Sequence, residues 1–192
     1  MRFTAVAVGA GLLLGLVAGG HIRDMSMRPV RAWALLGAGV AVQLASARMA
    51  GAAAVPAVLV SYALLLTFAV ANLHLVGMTV VLLGMSANAL VIGVNNGMPV
   101  RPDAVVAAGL ADASQVPRLR ADAKTRPERP GDRLTVLADI IPAPMIREVL
   151  SFGDLVIGVG VADTIVHLMR GAAERPRTRR RRHDGAPVAV TG

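Results

Sequence analysis

Five stretches of the chain are apolar with almost no interruption, and polar connections separate most of them. The first, Phe3 to Gly20, carries no charge. The second starts near Ala32 and stays apolar to Ala47, about 24 Å of helix. It extends toward Gly51 if Arg48 reaches its guanidinium out to lipid headgroups. The 43 residues from Ala52 to Val94 contain no Lys, Arg, Asp or Glu. That is too many for one membrane crossing and enough for two. Asn72, His74 and Gly77 mark the break between them, and Pro56 suits the first turn of the third helix. The fifth stretch runs from Phe152 to Met169. The pattern predicts an all-α, polytopic membrane helix bundle with spans at about 3–20, 32–49, 54–73, 77–94 and 152–170.

Between the fourth and fifth spans, residues 95–151 are polar and mixed in charge. Asn95-Asn96-Gly97-Met98-Pro99 reads as a helix stop, because Asn and Gly tolerate the left-handed conformation and Pro cannot continue a helix. Leu119 to Arg133, with Pro127, Pro130 and Gly131 among charges, reads as a flexible loop. Asp132 is placed to cap a short helix with Leu134, Leu137 and Ile141 on one face, lying on the bilayer surface. Residues 171–192 show no apolar periodicity and read as a disordered tail.

Composition supports the membrane class. The chain is 55% hydrophobic and only 17% charged over 192 residues, with a mean hydropathy of +0.60. This exceeds what a soluble core needs and excludes a soluble enzyme or a disordered chain. No cysteine is present, which excludes a disulfide scaffold and thiolate metal sites. The formal net charge is +8, and seven of the twenty basic residues fall in the last 23 positions. The Lys/Arg bias then sets that tail in the cytoplasm. Five spans place the N-terminus and the 95–151 loop outside, and the Arg23, Arg28 and Arg31 connection inside, which agrees. The abundance of Ala, Val, Gly and Arg suggests a GC-rich bacterial source and a plasma-membrane location. A cleaved signal peptide ending at Ala18-Gly19-Gly20 is the other reading of the first stretch, although its apolar run exceeds the usual length of about 7–15 residues. The Arg179 to Arg182 run fits anionic lipid headgroups better than nucleic acid.

Several constellations stand out. Gly11, Gly15 and Gly19 repeat at the four-residue spacing that lets membrane helices approach closely, and Gly37, Ala41 and Ala45 do the same. These faces are expected to pack the first two spans together, within the chain or between copies. Asp163 lies inside the fifth span, where a carboxylate costs about +2.5 to +3.5 kcal/mol on insertion scales. His167 is one turn on and within reach of it. The pair reads either as structural glue facing the bundle interior or as a proton relay or cation site. Gln43, Ser61, Thr67, Ser86 and Asn88 are expected to bond between helices or back to a preceding carbonyl. The four histidines are too dispersed for a metal motif, and no phosphate-binding loop or nucleophile elbow is present. No metal and no cofactor is indicated.

Three motifs stand out from the fourth span onward: Asn95-Asn96-Gly97-Met98-Pro99-Val100, Asp139-Ile140-Ile141-Pro142 and Ser151-Phe152-Gly153-Asp154. On these the chain resembles a bacterial, largely actinobacterial, family of small uncharacterised integral membrane proteins. The family tends to have Gly where Ala138 stands, and Asp163 matches none of its motifs. The resemblance implies a membrane fold and supplies no activity. All three motifs lie on the outer side of the expected topology, so Asn95, Asn96, Asp139 and Asp154 are candidates for one polar site at headgroup level, able to take a cation or a polar headgroup. The structural alternative is a turn, a surface helix and an Asp that caps the last span. The functional classes left open are a non-catalytic scaffold or partner-binding subunit, a small transporter or lipid- or ion-binding protein, and a membrane-embedded enzyme. The lipid bilayer is the expected partner, with a protein partner or a homo-oligomer also open.

Overall fold

The structure, a computed structural model, describes residues 2–27, 30–49, 51–112, 114 and 124–170. The tail at 171–192 lies outside the described residues. Each of the five apolar stretches folds as one helix: α1 Arg2–Val17, α2 Trp33–Ser46, α3 Ala54–Ala71, α4 Met78–Asn95 and α6 Phe152–Arg170. A short helix, α5 Pro102–Ala107, lies between the last two and carries Pro at its first position. Among the described residues, three helical segments are long and apolar enough to cross a membrane: Gly51–Ala71, Met78–Asn95 and Phe152–Arg170. α1 and α2 are apolar but shorter, at 16 and 14 residues.

The helices pack side by side in the order α1–α6–α4–α3–α2. Glycine sets the closest of these contacts. A Cβ added to Gly153 of α6 would lie 2.8 Å from the backbone oxygen of Gly84 on α4, and one on Gly160 would lie 2.7 Å from the backbone nitrogen of Val81. The two backbones therefore meet at distances that only glycine permits. α1 is seated on the other flank of α6, where Gly11 faces Ala162 and Gly15 faces Met169. This corrects the expected pairing of α1 with α2 within the chain. Gly19 sits in the turn after α1 at φ 79 and faces open space, as does Gly37 of α2. The reason lies at the start of α1. The Arg2 and Phe3 backbone N–H groups donate to the Glu148 carboxylate, at 2.7 and 2.9 Å. An anion at the helix N-terminus, supplied just ahead of α6, draws α1 to that helix. α2 instead packs on α3, with Gly39 against Leu65 and Ser61 donating to Gln43 at 3.2 Å.

At the far end, Asn72 closes the fold. It is fully buried. Its side chain accepts from the Arg31 N–H and donates to the Arg31 and Phe68 carbonyls. Gly77, at φ 85, then allows the sharp return into α4.

The chain is not all-α. A four-stranded sheet caps one end of the helices: β1 Met98–Val100, β2 Thr125–Pro127, β3 Asp139–Ala143 and β4 Glu148–Ser151, in the order β2-β1-β3-β4. β1 runs parallel to β2 and to β3, and β4 is antiparallel to β3. Pro99 occupies a central strand without loss. The flanking Met98 N–H and Val100 carbonyl bond toward β2, at 2.7 and 3.0 Å. Pairing with β3 begins only at Val100, beyond the missing N–H.

The surface helix expected over 132–141 does not form. Leu134 is left-handed at φ 56, Thr135–Leu137 is a single 3₁₀ turn, and Ile141 lies in β3. Pro142 and Pro144 remove two helix donors, and the first also disfavours helical backbone at Ile141. The expected flexible loop is ordered in its described part, 124–133. Arg126 is buried and bonds Asp132 through both terminal nitrogens, at 2.5 and 2.9 Å. It also donates to the Asn95 carbonyl at the end of α4, at 2.7 and 3.2 Å. One guanidinium thus joins the helix C-terminus, β2 and the loop.

Candidate functional site

The ends of the helix order, α1 and α2, face each other across a cavity of about 950 Å³. Its walls are apolar, with Ala7 and Val8 from α1, Leu36 and Val40 from α2, and Val81 and Met85 from α4. α6 supplies the back wall through Ile157, Gly158, Val161 and Ile165. The end nearest the sheet is polar. Tyr62, Lys124, Asp139 and Asp154 line it there, with Arg147 and Glu148 at the hairpin side.

This polar end is built on the start of α6. Ser151 is the residue before the helix, and Asp154 lies in its first turn. The Ser151 hydroxyl accepts from the Asp154 N–H at 2.9 Å, and the Ser151 N–H donates to Asp154 Oδ2 at 3.1 Å. This reciprocal pair satisfies two helix-end donors at once. Asn88, fully buried on α4, ties into both residues. Its amide donates to Asp154 Oδ1 at 2.8 Å, and its oxygen accepts from the Ser151 hydroxyl at 2.9 Å. Gly153 makes room, since a Cβ there would lie 2.7 Å from Asn88 Cγ. The Ser-Phe-Gly-Asp motif thus has a local explanation for three of its four residues. Phe152 points outward and is exposed.

Lys124 Nζ stands 3.9 Å from Asp154 Oδ1, with the two side chains 30% and 20% exposed. Tyr62, the only tyrosine, is buried and lines the same cavity. Asp139 is 4% exposed. It pairs with Ser151 across the sheet, and an irregularity between Asp139 and Ile141 falls beside it. A bulge next to a cavity re-aims the side chain it carries. Hydrogen-bond donors, acceptors and charges of both signs therefore meet at one end of an apolar chamber.

A family model matches residues 22–166, three-quarters of the chain. The chain belongs to DUF5317, a family of unknown function. No curated protein and no solved structure matches it. The stretch shared with the family carries α2 to β4, most of α6, and with them Tyr62, Asn88, Lys124, Asp139 and Asp154.

Of the residues singled out from the sequence, Asp139 and Asp154 both reach the cavity. Asn95 and Asn96 do not line it. Asn95 is committed to Arg133, donating to its carbonyl at 2.9 Å and accepting from its N–H at 2.8 Å. Asn96 is exposed and ends α4 in the left-handed conformation, at φ 53. Asn88, two turns back on the same helix, holds the place at the cluster that Asn95 was expected to fill. Asp163 and His167 do pair, with Nδ1 at 3.1 Å from Oδ1, but both side chains are about 40% exposed. They lie on the outer side of α6, not in the interior. Nine residues separate Asp154 from Asp163, about half a turn in excess of two and so on opposite faces of the helix. Among the described residues no group of three or more His, Asp or Glu side chains is placed to hold a metal ion.

Tyr62, Lys124 and Ser151 were not picked out as site residues. For Ser151 a signal existed: Ser-x-x-Asp ahead of an apolar run is a capping pattern. Lys124 is the one Lys in an arginine-rich chain, but only the sheet brings it to Asp154. Nothing in the run around Tyr62 marks its direction.

Proposed function

We propose that this chain is a membrane protein that binds an amphiphile, a lipid whose apolar chain lies between α1 and α2 and whose headgroup meets Lys124, Asp139, Asp154 and Tyr62. The observation that carries this reading is a chamber of about 950 Å³ with apolar walls and its charged side chains at the sheet end. Apolar walls of this extent are costly to leave facing water. Beside a bilayer, a lipid chain fills them. A non-catalytic scaffold has no use for such a chamber, and for that reason lipid binding is preferred to it.

In this reading α1 and α2 cross the membrane together with the three longer helices. The sheet end lies outside the cell. The connection at 18–32 and the Arg-rich tail lie inside, where the basic residues meet anionic headgroups.

The test is to purify the full chain from membranes in mild detergent and identify bound lipid by native mass spectrometry. The wild type should retain one lipid class. Val161→Trp, which projects into the chamber, should cut occupancy about tenfold or more, a loss of about 1.4 kcal/mol in binding. Lys124→Gln should change which headgroup is retained. Equal lipid content in wild type and Val161→Trp refutes the reading.

A further inference from the structure

The charged end of the chamber has a pattern that sorts headgroups by sign. Among the described residues, six charged side chains line the cavity: Lys124, Arg126, Asp139, Arg147, Glu148 and Asp154. Three of them are taken up by the fold. Arg126 donates to Asp132 and the Asn95 carbonyl, Glu148 accepts from the start of α1, and Arg147 donates to the Gly109 carbonyl on the hairpin side. The other three are one ammonium, Lys124, and two carboxylates, Asp139 and Asp154.

These three come from different elements. Lys124 lies just ahead of β2 and Asp139 opens β3, with β1 between the two strands. At the usual strand spacing those two backbones run about 10 Å apart. Asp154 rises from α6, with Oδ1 held by the Asn88 amide and Oδ2 by the Ser151 N–H. It stands 3.9 Å from Lys124 Nζ, so these two charges offset each other and the carboxylate positions the lysine. Asp139, 4% exposed, adds a further negative charge on the β3 side.

An anionic headgroup would bring like charge to an end where carboxylates outnumber the ammonium, in a site largely shielded from water. A headgroup that carries both a phosphate and an amine meets both signs, with the phosphate toward Lys124 and the amine toward Asp139. A protonated primary amine also offers N–H groups, which bond a carboxylate at about 2.7–2.9 Å. The methyl groups of a quaternary ammonium hold its charge farther off.

We infer that the chamber selects a zwitterionic lipid whose headgroup joins a phosphate to a primary ammonium, of the phosphoethanolamine type, and that Asp139 receives the amine. This inference rests on the lipid-binding reading and adds the headgroup class to it.

The full chain, purified in mild detergent and washed free of native lipid, is titrated with dioleoyl lipids bearing phosphoethanolamine, phosphocholine or phosphoglycerol, and occupancy is read by native mass spectrometry. The phosphoethanolamine lipid should bind about tenfold tighter than the phosphoglycerol lipid, with phosphocholine between them. Asp139→Asn keeps the side chain's shape and removes its charge, and should bring that ratio to about twofold or less. Lys124→Gln, at a side chain 30% exposed, leaves both carboxylates and should bind a cationic dioleoyl lipid without phosphate better than the wild type does. Phosphoglycerol or phosphocholine binding as tightly as phosphoethanolamine overturns the inference, as does folded Asp139→Asn that keeps the full ratio. The wild-type comparison and Lys124→Gln stand even if Asp139→Asn fails to fold. No binding of any of the three lipids would remove the lipid-binding reading itself, whereas binding without regard to headgroup would remove only the selection.

Discussion

Asp132→Ala tests how the sheet is fastened to the helices. Arg126 and Asp132 are each only 7% exposed at the side chain, and two of their nitrogen–oxygen distances are 2.5 and 2.9 Å. Removing the carboxylate leaves a buried guanidinium facing only the Asn95 and Pro127 carbonyls. Breaking a buried pair in this way costs about 3–5 kcal/mol. The two remaining carbonyl acceptors place the expected loss at the lower edge, about 3 kcal/mol. For a chain of this size that lowers Tm by about 6–12 °C. The assay is a thermal melt of the full chain in detergent, followed by circular dichroism at one scan rate.

The pH dependence adds a second arm. The Arg126 hydrogen bonds, helped by the Arg129 N–H, hold the Asp132 carboxyl below its ordinary value against the opposing effect of burial. A carboxyl depressed in the folded state stabilises above its unfolded pKa, and that contribution is lost as pH falls through the folded one. The gap between wild type and Asp132→Ala should therefore be full at neutral pH and narrow in acid, starting at about pH 4. A neutral-pH gap under about 2 °C, well below one pair's expected effect, refutes the reasoning. So does a gap that widens on acidification.

Other substitutions probe the remaining joints. Gly153→Ala should cost about 1–3 kcal/mol, because its Cβ has no room against Asn88 and the Gly84 backbone; a melt within error of wild type would contradict the close crossing. Asn88→Leu strips a partner from both Ser151 and Asp154 and should cost about 1–3 kcal/mol by the same melt. Glu148→Gln removes the anion from the start of α1 and should cost about 0.5–2 kcal/mol. It should show as faster proteolysis near the N-terminus, with cleavage elsewhere unaltered.

The helical part of this fold was legible because its signal is long. Uncharged runs of sixteen residues or more have few other meanings, and Asn96 with Gly97 marks the end of α4 through backbone preference alone. The sheet was hidden because its strands span only three to five residues, too few for an alternating pattern to register. Leu134, Leu137 and Ile141 imitate a helical stripe, and the contrary evidence, Pro142 directly after Ile141, is a single residue. The cluster at the cavity was half legible. Asp139 and Asp154 attract notice as carboxylates among apolar residues. Asn88 and Tyr62 are buried within helices whose rotation only packing decides. The partner of α1 was illegible for a similar reason: small-residue faces say that a helix packs closely, not against what. Glu148, 145 residues away from Phe3, made the choice.

Membrane crossing is the claim on which the lipid chamber depends. It is tested most directly by cysteine accessibility in intact cells. Met145 is 99% exposed at the tip of the β3–β4 hairpin, and Ile22 is 60% exposed at the opposite end of the helices. A membrane-impermeant maleimide should label Met145→Cys in intact cells and Ile22→Cys only after permeabilisation. Labelling of both sites in intact cells, or of neither until permeabilisation, would contradict the account.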